Sequence, residues 1–385
     1  MRGGERCLEV LCELFSDADI YTLLHVPGSV SPTIEKHPIQ TSFIQRLPLS
    51  SDYYRYYLPL FPWAIESFDL NGYDLVVSSS HCVAKGIRVP EGAYHLAYVY
   101  TPMRYIWEQY EAYFGKGQAS SLVRGVMWGL RPWLQKWDKS SNSQINDCIA
   151  ISRHVACRIQ SYWGRDVTVV YPPVNWQSFE VSDRNDGFYL MVTSLVPYKR
   201  VDLAIRTANV LRIPLKIIGA GPEMKRLMDL AGPTVEFLSW QSDHVVKDHL
   251  RRCQALLFPG EEDFGIVPLE AMACGKPVIA FGKGGVRETV VPVNQEEHRE
   301  QRQDSCVKPQ EEMGNSMGSP TGVFFYEQAV DAFVEALQLF ERQRCSFDPV
   351  SIRQHVEPFN RVRFKQQIYD IIKQRVKQFR LAPPC

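Results

Sequence analysis

From residue 188 onward the chain keeps returning to one local pattern. Apolar runs too short for helices end in glycine, proline or small polar residues, and amphipathic stretches separate them. FYLMVTSL (188–195), LKIIGAGP (215–222), TVEFLSW (234–240), QALLFPG (254–260) and KPVIAFG (276–282) read as strands, and RVDLAIRTANVLR (200–212) reads as a helix. Strands that are apolar throughout are buried on both faces. That excludes an antiparallel sheet with a wet side and predicts a parallel sheet covered by helices. The first half carries the same rhythm more loosely in DIYTLL (19–24), YDLVVSSS (73–80), YHLAYVY (94–100), DCIAIS (147–152) and VTVVYPP (167–173).

A chain of 385 residues is long for one core, so two Rossmann-like, doubly wound halves are expected. Pro172 and Pro173 in YPPVNWQSF stiffen a crossing between them, which sets domains at 1–172 and 173–356. Residues 357–385 form a closing helix, with Phe364, Ile368, Ile371, Ile372 and Val376 on one face. The polar stretch 292–320 has no apolar period and is expected to be a flexible insert. Lysine plus arginine equals aspartate plus glutamate at 43 each, which argues against a general nucleic-acid binder. The 10 cysteines show no metal-type spacing and read as reduced thiols of a cytoplasmic protein. No apolar run has the length of a membrane span.

Three strings carry chemistry. In FPGEEDFGIVPLEAMACGKPVIAFG (258–282) a buried strand ends at Pro259 and Gly260, and a helix starts around Gly265–Val267 and stops at Gly275. The backbone N–H groups of Phe264, Gly265 and Ile266 then form an anion site at a helix N-terminus. Glu270 inside that helix suits a ribose diol, because an ionised carboxylate only accepts and a diol brings two donors. Glu262 on the loop suits the hydroxyls of a sugar beyond it. In TSLVPYKRVDLA (193–204), Lys199 and Arg200 stand before a helix start, a poor place for cations unless a diphosphate binds there. The glycine turn at Gly219–Gly221 ends the next strand, and Gly284 and Gly285 in FGKGGVRET are expected to let backbone approach a ligand.

Together these strings resemble the family 4 retaining glycosyltransferases of the GT-B fold. Glu262 and Glu270 match that family's E-x7-E signature, LVPYKR (195–200) its diphosphate loop, and GGVRE (284–288) the loop after the signature. MRGGERCLEVL, SSSHCVAKG, TPMRYIW and FPGEEDFGI look like its WbaZ-like mannosyltransferase branch, which acts in polysaccharide assembly. The resemblance implies two Rossmann-like domains facing a cleft, with the C-terminal helix returning to the N-terminal domain. It implies a hexose, favoured as mannose from GDP-mannose, moved to a glycan or polyprenyl-diphosphate-linked acceptor without a metal or other cofactor. Lys199, with Arg200, would neutralise the leaving diphosphate, Glu262 would hold the donor sugar and Glu270 the ribose. Ser194 stands where relatives often have an arginine, and Gly221 and residues 264–266 complete the donor side. Tyr100 replaces a histidine that approaches the donor sugar, keeping a hydroxyl able to donate. Gly3, Gly4, His81 and Arg104 fall on the acceptor side.

Relatives carry a further strand before the glycine loop, so the chain is expected to lack the first strand of its N-terminal sheet. SSLVRGVMWGLRPWLQKWDK (120–139) sets Trp128, Trp133 and Trp137 among Arg124, Arg131, Lys136 and Lys139, a composition suited to peripheral contact with a cytoplasmic membrane face. Two other readings compete: a same-fold sugar-nucleotide epimerase, which would change the donor alone, and a degenerate copy that binds the donor without turnover.

Overall fold

The computed structural model describes residues 3–50, 54–115, 120–293 and 319–381. The chain divides into two compact units, Met1–Pro173 with Arg361–Cys385, and Val174–Asn360. These borders fall a few residues from those read in the sequence.

In the first unit, β1 (Ile20–Thr22) and β2 (Ile39–Thr41) pair in parallel as a sheet of two. β3 (Leu75–Ser80), β4 (Tyr94–Val99), β5 (Asp147–Ala150) and β6 (Thr168–Val169) follow one another in a parallel sheet of four. Among the described residues no strand joins the two sheets. β4 is buried along its whole length, as a strand covered on both faces must be. The Gly3–Leu14 helix and the Arg361–Leu381 helix pack on each other, and Arg361 bonds Glu9 at 3.0 Å and Glu13 at 2.6 Å. Phe364, Ile368 and Ile372 form the buried stripe of the last helix, and the Phe364 ring meets Tyr98 edge-on at 5.5 Å. The closing helix therefore belongs to the N-terminal unit, as expected.

The Ser121–Ser140 helix is fixed from below by an enclosed ion pair. Lys85, from the turn after β3, lies 3.3 Å from Asp138 and donates to the Asp138 carbonyl and the Ser141 hydroxyl at 2.6 Å each. Both side chains are fully buried. Asp138 also accepts the indole N–H groups of Trp107 and Trp163 at 2.8 Å each, and the Lys85 ammonium sits 4.4 Å from the Trp163 ring. Burial pulls the Lys85 pKa down, and the Asp138 carboxylate opposes that pull. Arg131 and Trp137, named among the basic and aromatic residues suited to membrane contact, turn inward. Arg131 donates to the carbonyls of Ile106 and Trp107, and Trp137 to Glu66. Backbone carbonyls and an acid on neighbouring elements claim them, and helical spacing alone cannot show that.

In the second unit, β7 (Tyr189–Val192), β8 (Leu215–Ile218), β9 (Val235–Ser239), β10 (Leu256–Phe258), β11 (Val278–Phe281) and β12 (Gly322–Phe325) form one parallel sheet in the order β12-β11-β10-β7-β8-β9. The chain winds outward from β7 in one direction and from β10 in the other, so the order reverses between β7 and β10. Loops at the carboxyl ends of those two strands part there and leave a crevice, the usual ligand position in such sheets. The Val201–Leu211 helix covers one face with Val201, Ala204, Ile205 and Ala208, spaced for one buried stripe. β2 and β12 were not anticipated from the sequence. The expected insert falls mostly on 294–318, outside the described residues. At its borders Val293 donates to the Gly322 carbonyl at 2.9 Å.

Candidate functional site

The loop after β7 and the loop after β10 meet at the reversal point. A Cβ on Gly260 would lie 3.0 Å from the Lys199 Cα and 3.0 Å from the Tyr198 carbonyl oxygen. This close backbone contact brings Lys199 to Glu262, and their side chains form an ion pair with both groups mostly buried. Arg200 adopts a left-handed conformation, φ 50° and ψ 40°, at the start of the Val201–Leu211 helix. Such a conformation is uncommon outside glycine and gathers where neighbours over-determine the backbone. Here Gln328 accepts from the Arg200 guanidinium at 2.9 Å, and Asp202 from its Nε at 3.3 Å. Ser194 is exposed beside this loop.

After β10 the chain turns through Glu261–Phe264 into the Ile266–Ala273 helix, with Gly265 as N-cap at φ 89°. The helix ends before Gly275, which takes φ 76°. Both ends match the sequence reading. The first N–H groups of any helix lack intrahelical acceptors, and the helix dipole adds positive potential at the same place. Glu270 is buried inside this helix. Lys283 pairs with Glu261 at 3.3 Å. The arrangement thus sets three cations, Lys199, Arg200 and Lys283, and a helix N-terminus beside carboxylates at the strand-order reversal. Chemically, that is a seat for a group carrying both phosphate and hydroxyls.

The glycines of FGKGGVRET do something other than expected. A Cβ on Gly284 would fall 2.4 Å from the Glu262 carbonyl oxygen, and one on Gly285 would fall 2.3 Å from that of Asp263. Gly285 also donates to the Glu262 carbonyl at 2.8 Å. Their missing side chains admit the acidic loop, so they hold Glu262 in place. Gly221 likewise packs on backbone, 2.3 Å from the Leu195 carbonyl oxygen to its would-be Cβ. Two other residues went unnoticed in the sequence. Gln328, just after β12, bonds Arg200 and also donates to the Pro259 carbonyl at 2.9 Å, tying three loops together. Trp240, at the carboxyl end of β9, is 75% exposed and follows Ser239, which is left-handed at φ 56°. A large ring left in water at a sheet's carboxyl edge is the signal that could have found it.

In the first unit, the residues expected on the acceptor side gather at the carboxyl ends of β3 and β4. His81 follows β3 and is exposed; Arg104 lies in the turn beyond β4. The Tyr100 hydroxyl donates to the Gly4 carbonyl at 3.0 Å and lies 2.8 Å from the Ser79 hydroxyl. These two partners set the hydroxyl between the start of the first helix and the end of β3. Burial raises its pKa well above the ordinary phenol value.

Residues 175–304 match the family model described as glycosyl transferases group 1. An uncharacterised glycosyltransferase of Methanocaldococcus jannaschii is 29% identical over 158 residues, taking in 40% of this chain and 45% of that protein. The alpha-1,3/1,6-mannosyltransferase ALG2 of Saccharomyces cerevisiae is 28% identical over 182 residues, taking in 34% and 36%. The chain thus spans less than half the length of these curated relatives. Among solved structures, Anabaena HepE in complex with UDP and glucose superposes with a TM-score of 0.67 at 15% identity, covering 97% of this chain and 96% of that one. Sucrose-phosphate synthase from Thermosynechococcus elongatus gives 0.68 at 17% identity, covering 95% and 90%. At such identity the likeness is one of fold: an α/β protein of the GT-B type, with two Rossmann-like domains.

Proposed function

We propose that the chain is a retaining glycosyltransferase that takes a hexose from a nucleotide sugar, with mannose from GDP-mannose as the favoured donor. The observation that carries this reading is the Lys199–Glu262 pair beside the Gly265 helix N-terminus at the reversal point of the second sheet. The match to glycosyl transferases group 1 and the likeness to a mannosyltransferase support the activity and the sugar.

In this reading the diphosphate lies on the helix N-terminus and Lys199, with Arg200 and Gln328 steadying the loop. Glu270 accepts from the ribose hydroxyls and Glu262 from the hexose. Trp240 offers a flat face to the nucleobase. The acceptor hydroxyl oxygen attacks the anomeric carbon on the face from which the nucleoside diphosphate leaves. The bond from that carbon to the phosphate oxygen breaks, and the acceptor's proton passes to the departing oxygen. Negative charge grows on the diphosphate as the bond opens. A fixed ammonium therefore stabilises the transition state more than the ground state. No metal has to share that task. The acceptor is a glycan or a polyprenyl-diphosphate-linked oligosaccharide of cell-surface polysaccharide synthesis.

Melting curves with GDP, GDP-mannose, UDP and UDP-glucose test the reading. A ligand at a hundred times its dissociation constant stabilises by about 2.7 kcal/mol, and GDP-mannose is expected to give the largest shift. Lys199→Ala is expected to lower turnover by about 10²–10³-fold. Curves unmoved by every nucleotide, or full turnover in Lys199→Ala, would sink the proposal.

A further inference from the structure

The Ser121–Ser140 helix has an outer face that nothing in the donor reading uses. Its inner face is locked: Met127, Leu134 and Asp138 are buried, and the Lys85–Asp138 pair with its two indole bonds prevents the helix from rolling. What remains outside is therefore fixed. Leu122 is 78% exposed, Val126 49% and Trp128 75%; Trp63, whose ring lies 5.4 Å from that of Trp133, is 56% exposed. Leu122, Val126, Gly129, Trp133 and Lys136 follow one another at spacings of three and four, which makes one continuous stripe. Gly125, Trp128, Pro132, Lys136 and Lys139 make the stripe beside it. A Cβ on Gly125 or Gly129 would meet nothing within 4 Å, so no described part of the chain covers this face.

The face is graded along its length. Its first part is apolar and aromatic, and its last turns carry the exposed Lys136 and Lys139. Asp138 is the acidic residue of this helix and it is buried, so the charge on the outer face is all positive. We propose that this face docks on an anionic lipid surface. Tryptophan favours the boundary between headgroup and hydrocarbon. Leucine and valine beside it reach the start of the acyl region, and the lysines lie among phosphate headgroups. At about 30 Å long the helix offers a platform rather than a single anchor. The inference does not depend on the donor reading and would stand if that reading failed.

Flotation of the full chain with vesicles tests it. Binding is expected to phosphatidylcholine vesicles containing phosphatidylglycerol, to be much weaker with phosphatidylcholine alone, and to fall in high salt. Each lysine near such a surface is worth about fivefold in partitioning, so Lys136→Glu with Lys139→Glu should lower binding at least tenfold. The control pair Lys225→Glu with Lys377→Glu, exposed elsewhere, should leave it unchanged. Leu122→Ala with Trp128→Ala should lower binding without moving the urea midpoint. Four outcomes would overturn the proposal: no binding to anionic vesicles, equal binding to neutral ones, an equal loss in the control pair, or a dimer in light scattering that Leu122→Asp dissolves.

Discussion

The two sheets end in loops of opposite character. At the carboxyl edge of the second sheet stand Lys199, Arg200, Lys283, Glu261 and Glu262, paired with one another or with Gln328, on loops pressed together by glycine. At the carboxyl edge of the first stand Tyr100, Ser79 and the Gly4 carbonyl, a neutral set bonded among themselves, with His81 and Arg104 nearby. The first unit keeps its own ion pair far inside, where Lys85 and Asp138 serve packing. In the second unit charged side chains gather on the loops at the sheet's carboxyl edge, whereas the fully buried pair of the first unit, Lys85 with Asp138, holds a helix. A polyanion has an obvious seat in one half and none of equal strength in the other.

The largest test of this contrast is Asp138→Ala. It leaves the Lys85 ammonium buried without a counter-charge and two indole N–H donors without their acceptor, which should cost about 3–5 kcal/mol. Six of the eight tryptophans lie in the first unit, so fluorescence in urea reads its loss directly. If the contrast holds, the nucleotide-dependent shift of the second unit survives. Acid should also separate the halves. Buried His95 has its pKa pushed down to about 4 by desolvation, from 6.5. Between those values the unfolded chain takes up a proton that the folded one refuses. Stability of the first unit therefore falls as pH drops from about 6.5 to about 4, by about 3 kcal/mol, and levels off below. Urea midpoints of the parent and of His95→Gln across that range measure it; the variant should show a flatter profile. In the second unit, Gly284→Ala would drive a Cβ into the Glu262 carbonyl at φ 84°, costing about 1–3 kcal/mol and displacing Glu262. Weaker nucleotide binding together with a lower melting temperature is the expected pair of readings. The smallest effect is a gain. Arg212 caps the Val201–Leu211 helix in a left-handed conformation at φ 51° and is exposed. Arg212→Gly should stabilise the second unit by about 0.5–1 kcal/mol in urea.

Much of the second unit was legible because its information is local. The run from Phe258 to Gly282 contains its strand, its turn, its helix N-cap and its stop in consecutive residues, and the structure reproduces each. What could not be read depends on distant partners. Gly284 needs glycine because of Glu262, and Gln328 matters because Arg200 and Pro259 lie beside it. β12 follows a long polar stretch and shows only four apolar-compatible residues, too few for a periodic signal. In the first unit, composition marked Arg131 and Trp137 among residues suited to membrane contact, but carbonyls of Ile106 and Trp107 and the Glu66 carboxylate turn them in. The Gly4 carbonyl that meets the Tyr100 hydroxyl lies 96 positions away, which no local pattern can show.

Lys85 has one more use, as a built-in reporter. An amine sealed from solvent and held by an acid, a hydroxyl and a carbonyl is out of reach of acylating reagents while its half of the molecule is closed. Its labelling rate, set against that of any outlying lysine, would count the opening events of that half alone and leave the other half silent.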